Sequence, residues 1–449
     1  MTVDDQIGQW RSYLQRRRAI HAVDVAELED HLRQQIATLT DSGLDADEAF
    51  LVAVKRMGDL DTLSREFARE HSERLWKQLV APSSEAQPQA LVLPPDGLVA
   101  FALAVLAGLL IKAPALFGVE METHEGFYLR NFGFFVLPLL AGYFAWKRRL
   151  NARLLMVLAA AFVVAMVVAN VYSFSRPEAA TQILQGLHLP IALWMMVGVA
   201  YAGDRWNESA GRMDFIRFTG ELFIYFVLIA LGGGVLTAFT ALIFQAAGID
   251  IEPFMEDWLP SCALGVVLVA AWLVEAKQSV IENMAPVLAR LFTPLFTLVL
   301  LVFLGMLLVT GRGIDIEREV LIAFDLLLVL VLGLLLYSVS ARDPQAPPGT
   351  FDVLQIVLVI AALLANAVAL WAIAARITEF GFTPNRVAAL GENLILLLNL
   401  AWSAVLYIRF VRGRGSFAAI EQWQTGYVPV YAIWATIVVI FFPPLFAFI

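Results

Sequence analysis

Residues 351–375 read FDVLQIVLVIAALLANAVALWAIAA, an apolar run whose one charged residue is Asp352. A helix that spans a bilayer needs about 20 mostly apolar residues, so this stretch is long enough to cross a membrane. Further runs of this kind occur along most of the chain. The sequence therefore predicts an all-α, polytopic helical membrane protein with about eleven transmembrane helices and a small N-terminal helical domain.

The composition supports lipid as the surroundings of most of the chain. Hydrophobic residues make up 60% and charged residues 16%, with a mean hydropathy of +0.73, whereas a soluble domain is about 25% charged. The net charge of −9 provides no basic surface for nucleic acid. The single cysteine, Cys262, excludes an intrachain disulfide and a cysteine-based zinc site. We expect no cofactor.

The charges are concentrated near the N-terminus, since 11 of the 31 Lys and Arg residues lie in residues 1–80. We predict a soluble helical head at 1–80, a proline-rich linker at 81–96 and a transmembrane bundle at 97–449. Within the bundle, 97–210 holds the first four helices and 215–449 the remaining seven. The predicted spans are 97–117, 127–146, 152–174, 183–203, 215–245, 259–275, 287–310, 319–340, 351–375, 388–410 and 427–448.

Lys and Arg in the connections predict the orientation. With the head in the cytoplasm, the connections on that side carry 13 of these residues and the opposite side carries 7. An odd number of spans then places the C-terminus outside. We expect a bacterial cytoplasmic (inner) membrane protein with a cytoplasmic N-terminus.

The head shows a spaced motif that resembles a known bacterial module. The motif consists of ELEDHL at 27–32, Gly43–Leu44, DEAF at 47–50 and RMGD at 56–59. It resembles the permease-prefix domain, also called a HAAS-type signalling domain. The resemblance implies a cytoplasmic helical head with a regulatory or docking role and no catalysis. Its helices are expected at about 4–20, from Asp24 to Asp41, around Phe50, and from Asp61 onward.

A second motif, FGFTPNR at 380–386, lies between two late spans. Together with the helix layout of 215–449, it resembles a bacterial multi-pass membrane family known only as a domain of unknown function. That family implies no chemistry. From the residues themselves, Pro384 is expected to start a helix with Thr383 as its N-cap. The triplet Gly232–Gly234, inside the fifth span, is expected to permit close helix approach or a kink.

Sequence motifs of catalysis are missing. The chain has no HExxH, GxSxG or P-loop motif, and its five histidines are scattered. We therefore predict that the protein is not an enzyme.

Ionisable and polar residues inside spans are the informative ones, because their burial in lipid is costly. The predicted intramembrane polar cluster consists of Lys112, Asp325, Asn366, Arg376, Arg386, Glu392, Asn393 and Asn399. These residues are interpreted as interhelical hydrogen bonds and salt bridges, as the lining of a cavity in the outer half, or as a catalytic group.

Three functions remain open at the level of sequence. The first is a sensory or regulatory membrane protein whose head binds a cytoplasmic protein through residues 1–80. The second is a permease-like transporter with a polar cavity in its outer half. The third is a membrane enzyme that acts on lipid. The bilayer is the expected partner in each case, no nucleic acid is expected, and the sequence leaves the oligomeric state open.

Overall fold

The structure, a computed structural model, describes residues 7, 22–41, 45–56, 94–174, 179–246, 249–276, 284–310 and 318–449. All regular elements in these ranges are helical, and none of the described residues forms a strand. The predicted all-α fold class is confirmed. Contacts divide the chain into two units, Met1–Val92 and Leu93–Ile449, and the division falls within the predicted linker.

The first unit contains two described helices, α1 (Ala22–Asp41) and α2 (Ala46–Arg56). Apolar residues spaced three or four apart place one face of each helix inwards. The buried core of this unit consists of Ile7, Leu32, Ile36, Leu39, Ala49 and Ala53. The helical periodicity predicted for this part of the head is therefore confirmed. The helices expected at 4–20 and from Asp61 onward fall almost entirely outside the described residues.

The second unit is a bundle of antiparallel helices. Its helices are α3 (Pro95–Leu110), α4 (Glu125–Asn131), α5 (Leu137–Lys147), α6 (Ala152–Val171), α7 (Ala180–Ala202), α8 (Ser209–Ala246), α9 (Glu252–Ala276), α10 (Met284–Thr310), α11 (Arg318–Ala341), α12 (Thr350–Phe380), α13 (Pro384–Val411) and α14 (Phe417–Leu445).

Ten helical segments among the described residues are long and apolar enough to cross a membrane. One of them, Glu125–Lys147, is broken: α4 and α5 are joined by a 3-10 turn at Phe132–Phe135. The eighth predicted span, 319–340, lies in α11, where the apolar segment Asp325–Ala341 is shorter than the ten. The multi-pass architecture is thus shown.

The two ends of the bundle are distinguished by their contacts. At one end, Lys147 pairs with Asp96 at 3.3 Å, which joins the end of α5 to the start of α3. We call it the arginine end, because each of the described loops at this end contains arginine: 148–151, 203–208, 342–349 and 412–416. At the opposite, C-terminal end, the Thr181 hydroxyl donates to the carbonyl of Ile449 at 2.7 Å.

Two large apolar cores fill the bundle, and the first turns of α8 belong to both. Phe215 and Phe218 pack in the core formed mainly by α3 to α9. Met213 and Ile216, on another face of α8, pack in the core formed mainly by α10 to α14. Because an α-helix presents different faces at positions one apart, one helix can connect two cores.

Two local predictions have clear outcomes. Pro384 begins α13 and Thr383 occupies its N-cap position, as predicted, although the Thr383 side chain makes no capping hydrogen bond. Of the two alternatives expected at Gly232–Gly234, close helix approach or a kink, the first does not occur among the described residues, because nothing lies within 4 Å of a Cβ added at any of the three glycines. This part of α8 instead exposes apolar side chains, which suits contact with lipid.

Candidate functional site: a polar network between the helices

Asn393 on α13 is the centre of a hydrogen-bonded network inside the bundle. Its Nδ2 donates to Oδ1 of Asp325 on α11 at 2.9 Å. Its Oδ1 accepts from Nδ2 of Asn366 on α12 at 3.2 Å. Asn366 and Asn393 are both fully buried. Three helices are therefore linked by these side chains, of which Asn366 and Asn393 are shut off from water and Asp325 is partly exposed.

Glu392, the neighbour of Asn393 in the chain, makes a separate contact with α7. Its Oε1 lies 2.7 Å from Nε2 of His188. The site lies about 12 Å from the start of α13, at about 1.5 Å per residue. His188 is 8% exposed, whereas the side chain of Glu392 is 35% exposed. The carboxylate of Glu392 is thus the accessible part of this pair.

The geometry fixes the number of protons that the His188–Glu392 pair must hold. Nδ1 of His188 lies 2.8 Å from the carbonyl oxygen of Leu184. A carbonyl oxygen can only accept, so Nδ1 carries a hydrogen. A hydrogen bond between Nε2 and Oε1 then needs one further proton, either on the imidazole or on the carboxyl group. The contact is therefore a hydrogen bond between α7 and α13, with its hydrogen on either Nε2 of His188 or the carboxyl group of Glu392.

Apolar packing surrounds this pair on the side of α14. Leu184 on α7, Ala388 on α13 and Val438 on α14 are buried in one small cluster. Gly391, directly before Glu392, allows the indole ring of Trp434 to lie against α13, because a Cβ at this position would overlap that ring. The close packing of α14 against α13 therefore requires a glycine at position 391, directly before Glu392.

Asn399 belongs to a second network, closer to the arginine end, which links α13 to α14. Its Nδ2 donates to the hydroxyl of Tyr431 at 2.7 Å and to Oε1 of Gln424 at 3.2 Å. Its Oδ1 accepts from the indole Nε1 of Trp423 at 2.7 Å. Nε2 of Gln424 donates to the hydroxyl of Ser403 at 2.6 Å. We call these five residues the Asn399 network.

The remaining residues of the predicted cluster lie elsewhere. Lys112, after the end of α3, pairs with the carboxylate of Asp257 on α9. Arg386 donates to the carbonyls of Phe380 and Gly381 at 3.0 and 2.8 Å, so it holds the α12–α13 connection. Arg376 lies half-buried on α12. The structure thus brings Asp325, Asn366 and Asn393 together, places Glu392 beside them, and puts Asn399, Lys112 and Arg386 in other contacts.

Sequence reasoning missed His188, although a signal for it was present. His188 lies inside the predicted span 183–203, so the rule that singles out ionisable residues in spans applies to it. Gln424 and Trp423 were missed for a different reason, since both precede the predicted span 427–448. No sequence signal connects them to Asn399.

Metal chemistry finds no support at this site. Within the ranges that the structure describes, no group of three or more His, Cys, Asp or Glu side chains could hold a metal ion. The polar atoms of the two networks are instead mostly bound to one another.

Comparison of the chain with protein-family models, with curated proteins and with solved structures gives no match. The resemblances of residues 27–59 and 380–386 therefore stay predictions. What the fold shows is a helical architecture that fits a lipid bilayer.

Proposed function

We propose that this chain is a sensory or regulatory multi-pass protein of the bacterial inner membrane, whose cytoplasmic N-terminal head binds a soluble protein partner. One observation carries the choice over a transporter: the buried amide groups of Asn366, Asn393 and Asn399 bind other residues of the bundle. Polar side chains that line a transport cavity need free donors and acceptors for the substrate. Here most of them hold helices in register.

The division of the chain into two units also supports this proposal. The N-terminal unit has an apolar core of its own, formed by α1 and α2. The opposite face of α1 exposes polar side chains such as Arg33 and Gln34. A small helical unit with a polar outer face, attached to a membrane bundle, is suited to protein binding near the membrane surface.

Native mass spectrometry of the gently extracted protein tests the proposal. The full chain is compared with a variant that lacks residues 1–80. We expect a soluble protein to accompany the full chain in a fixed ratio and to be lost from the truncated one. The melting temperature of the truncated bundle is the control, because the bundle has its own cores and must remain folded. Equal recovery of the partner with both chains would contradict the proposal.

A second candidate function, a permease-like transporter driven by an ion gradient, is favoured by one specific observation. The side chain of Glu392 is partly exposed within a membrane-spanning helix, and its Oε1 lies 2.7 Å from Nε2 of His188. Exposed carboxylates at this depth are costly in lipid and are typical of ion pathways.

Proton flux into liposomes that contain the purified protein distinguishes this second function. A transporter predicts a flux that is lost in Glu392→Gln and retained in Glu421→Gln, a matched change at the arginine end of α14. The regulatory proposal predicts no flux above that of empty liposomes for any of the three proteins.

A further inference from the structure

A cavity of about 660 Å³ opens at the arginine end, away from both polar networks. It lies between the α5–α6 loop, the α7–α8 connection and the first turns of α8. Four of its lining residues are arginines: Arg148, Arg149, Arg205 and Arg217. We call it the arginine cavity.

Three of these arginines are held in place by other groups. Arg148 pairs with Glu275 at 3.0 Å, and its guanidinium lies 4.1 Å from the centre of the Tyr201 ring. Arg205 pairs with Asp214 at 3.0 Å. Arg217 donates to the carbonyl of Ser340 at 2.7 Å. A guanidinium has five N–H donors, so each of these side chains keeps donors for a ligand.

Arg149 differs from the other three. Its side chain makes no hydrogen bond or ion pair with any of the described residues, and it is exposed. Its backbone has φ = 51°, the left-handed region that non-glycine residues seldom adopt. Such a conformation persists where the surroundings enforce it, and it is frequent at ligand-binding positions. Arg149 therefore brings an uncompensated positive charge to the cavity wall.

The surroundings of the cavity place it at the level of lipid headgroups. Trp146, one turn before Arg149, is 51% exposed, and tryptophan is enriched at the membrane–water interface. On the other side of the loop, the first turns of α6 expose Leu155, Met156 and Val157. A headgroup in the cavity would leave its acyl chains next to this apolar surface.

The acidic residues of the cavity limit the choice of ligand. Three acidic residues line it: Asp204, Asp214 and the buried Glu221. The carboxylate of Asp214 is bound by Arg205, and Oδ1 of Asp204 accepts from the amide of Asn151 at 3.0 Å. A highly charged polyanion would meet these carboxylates. A single phosphate next to Arg149 would avoid these carboxylates. The other polar atoms of a lipid headgroup could then bond the polar side chains of the cavity. The volume of the cavity is larger than one phosphate needs.

We propose that the arginine cavity binds the phosphate of a membrane phospholipid, with Arg149 as the principal donor and Arg148, Arg205 and Arg217 as fixed supporting donors. Arginine suits this role because its planar guanidinium can donate two parallel hydrogen bonds to two phosphate oxygens. The phospholipid would lie with its acyl chains along α6. This inference is independent of what the N-terminal head binds.

The test is a titration of the purified full chain with dioctanoyl phosphatidylglycerol, followed by native mass spectrometry. Arg149→Gln should weaken binding about tenfold, the loss expected for one charge-assisted hydrogen bond. Arg149→Lys keeps the positive charge but loses the paired N–H donors of the guanidinium. Its affinity for the phospholipid should lie between those of the wild-type protein and Arg149→Gln. Arg412→Gln removes an exposed arginine at the same end, outside the cavity, and should leave the affinity unchanged.

Two further probes separate the sources of the phosphate. Dioctanoylglycerol, which has no phosphate, should bind at least tenfold more weakly than the phospholipid. Glycerol 3-phosphate, which has no acyl chains, should also bind more weakly, and equal affinity would overturn the membrane lipid as the ligand. Unchanged affinity of Arg149→Gln, in a protein with the wild-type melting temperature, would overturn the proposal. Arg149→Lys provides the same comparison if the glutamine variant does not fold.

Discussion

Nε2 of His188 on α7 lies 2.7 Å from Oε1 of Glu392 on α13, although the two residues are 204 positions apart in the chain. The contact links the first apolar core to the helices of the second, at a position where both partners are flanked by apolar side chains. In the proposed regulatory protein, this link helps to hold the bundle in one arrangement.

The His188–Glu392 link can be measured with a double-mutant cycle of His188→Gln and Glu392→Gln. We expect each single change to lower the free energy of unfolding and the two effects to be non-additive. The coupling should be about 0.6 kcal/mol and should not exceed about 1.7 kcal/mol, the average and the maximum for interhelical hydrogen bonds in membranes. Denaturation in mixed micelles measures it. As a control, Glu392→Gln combined with Asn170→Ala should be additive, since Asn170 bonds Asn131 and Met166 and shares no hydrogen-bond partner with Glu392.

Asn393→Leu should destabilise the bundle more than a similar change in a less buried amide pair. The substitution removes the donor to Asp325 and the acceptor for Asn366 at once, and it leaves both without this partner. We expect a loss of about 1–3 kcal/mol in the free energy of unfolding. The comparison is Asn170→Leu, because Asn170 bonds Asn131 at 2.8 Å but is itself exposed. Equal losses of unfolding free energy in the two variants would show that the burial of Asn393 does not add to the stability of the bundle.

Gly391→Ala should disturb the packing of α13 against α14. A methyl group there overlaps the Trp434 ring, which must move. Overpacking of this kind costs about 1–3 kcal/mol. Gly426→Ala, on α14 with nothing within 4 Å of the added Cβ, should instead be neutral or slightly stabilising, since alanine favours the helix. Melting temperatures of the two variants decide the matter: a Gly391→Ala protein as stable as Gly426→Ala contradicts the packing described.

Arg342 should be intolerant of replacement even by lysine. Its guanidinium binds both carboxylate oxygens of Asp352, at 2.8 and 3.1 Å, and lies over the rings of Phe410 and Phe417. Lysine cannot make the two parallel bonds or stack in the same way. Because the pair is largely buried and lysine keeps the charge but loses the paired hydrogen bonds, we expect Arg342→Lys to cost about 1.5–3 kcal/mol of unfolding free energy.

The control for Arg342 is Arg412→Lys, which alters an exposed arginine at the same end and should change stability by less than about 0.5 kcal/mol. Thermal unfolding in detergent measures both variants. A similar melting temperature for the two would mean that the bonds between Arg342 and Asp352 contribute little.

Hydropathy predicted the fold class because a backbone in lipid must satisfy its own hydrogen bonds, which leaves helices as the solution for long apolar runs. It predicted helix ends less well. The last helix begins at Phe417, ten residues before the predicted 427, because Gln424 and Thr425 are buried and hydrogen-bonded while hydropathy counts them as polar. Similarly, α9 begins at Glu252, before the predicted 259.

The site was predictable only in part. Asp325, Asn366 and Asn393 were identified because polar residues in spans are informative, and the structure brings these three together. The partners of the other predicted residues depend on how the helices pack, and no local sequence pattern shows this. His188 is far from Glu392 in the chain, and Lys112 pairs with Asp257 instead of with a residue of the predicted cluster. The glycine triplet in α8 is a sequence motif that permits close helix packing, but no described residue packs against it.

The most direct test of the central claim is site-specific photo-crosslinking in living cells at Gln34, which is exposed on α1 of the head. The control position is Phe382, which is 73% exposed in the α12–α13 connection at the C-terminal end. If the head binds a cytoplasmic partner, Gln34 should give one discrete crosslinked species that contains a soluble protein, and Phe382 should not. Crosslinks of Gln34 to lipid or to the bundle alone, with no soluble protein, would contradict the regulatory proposal.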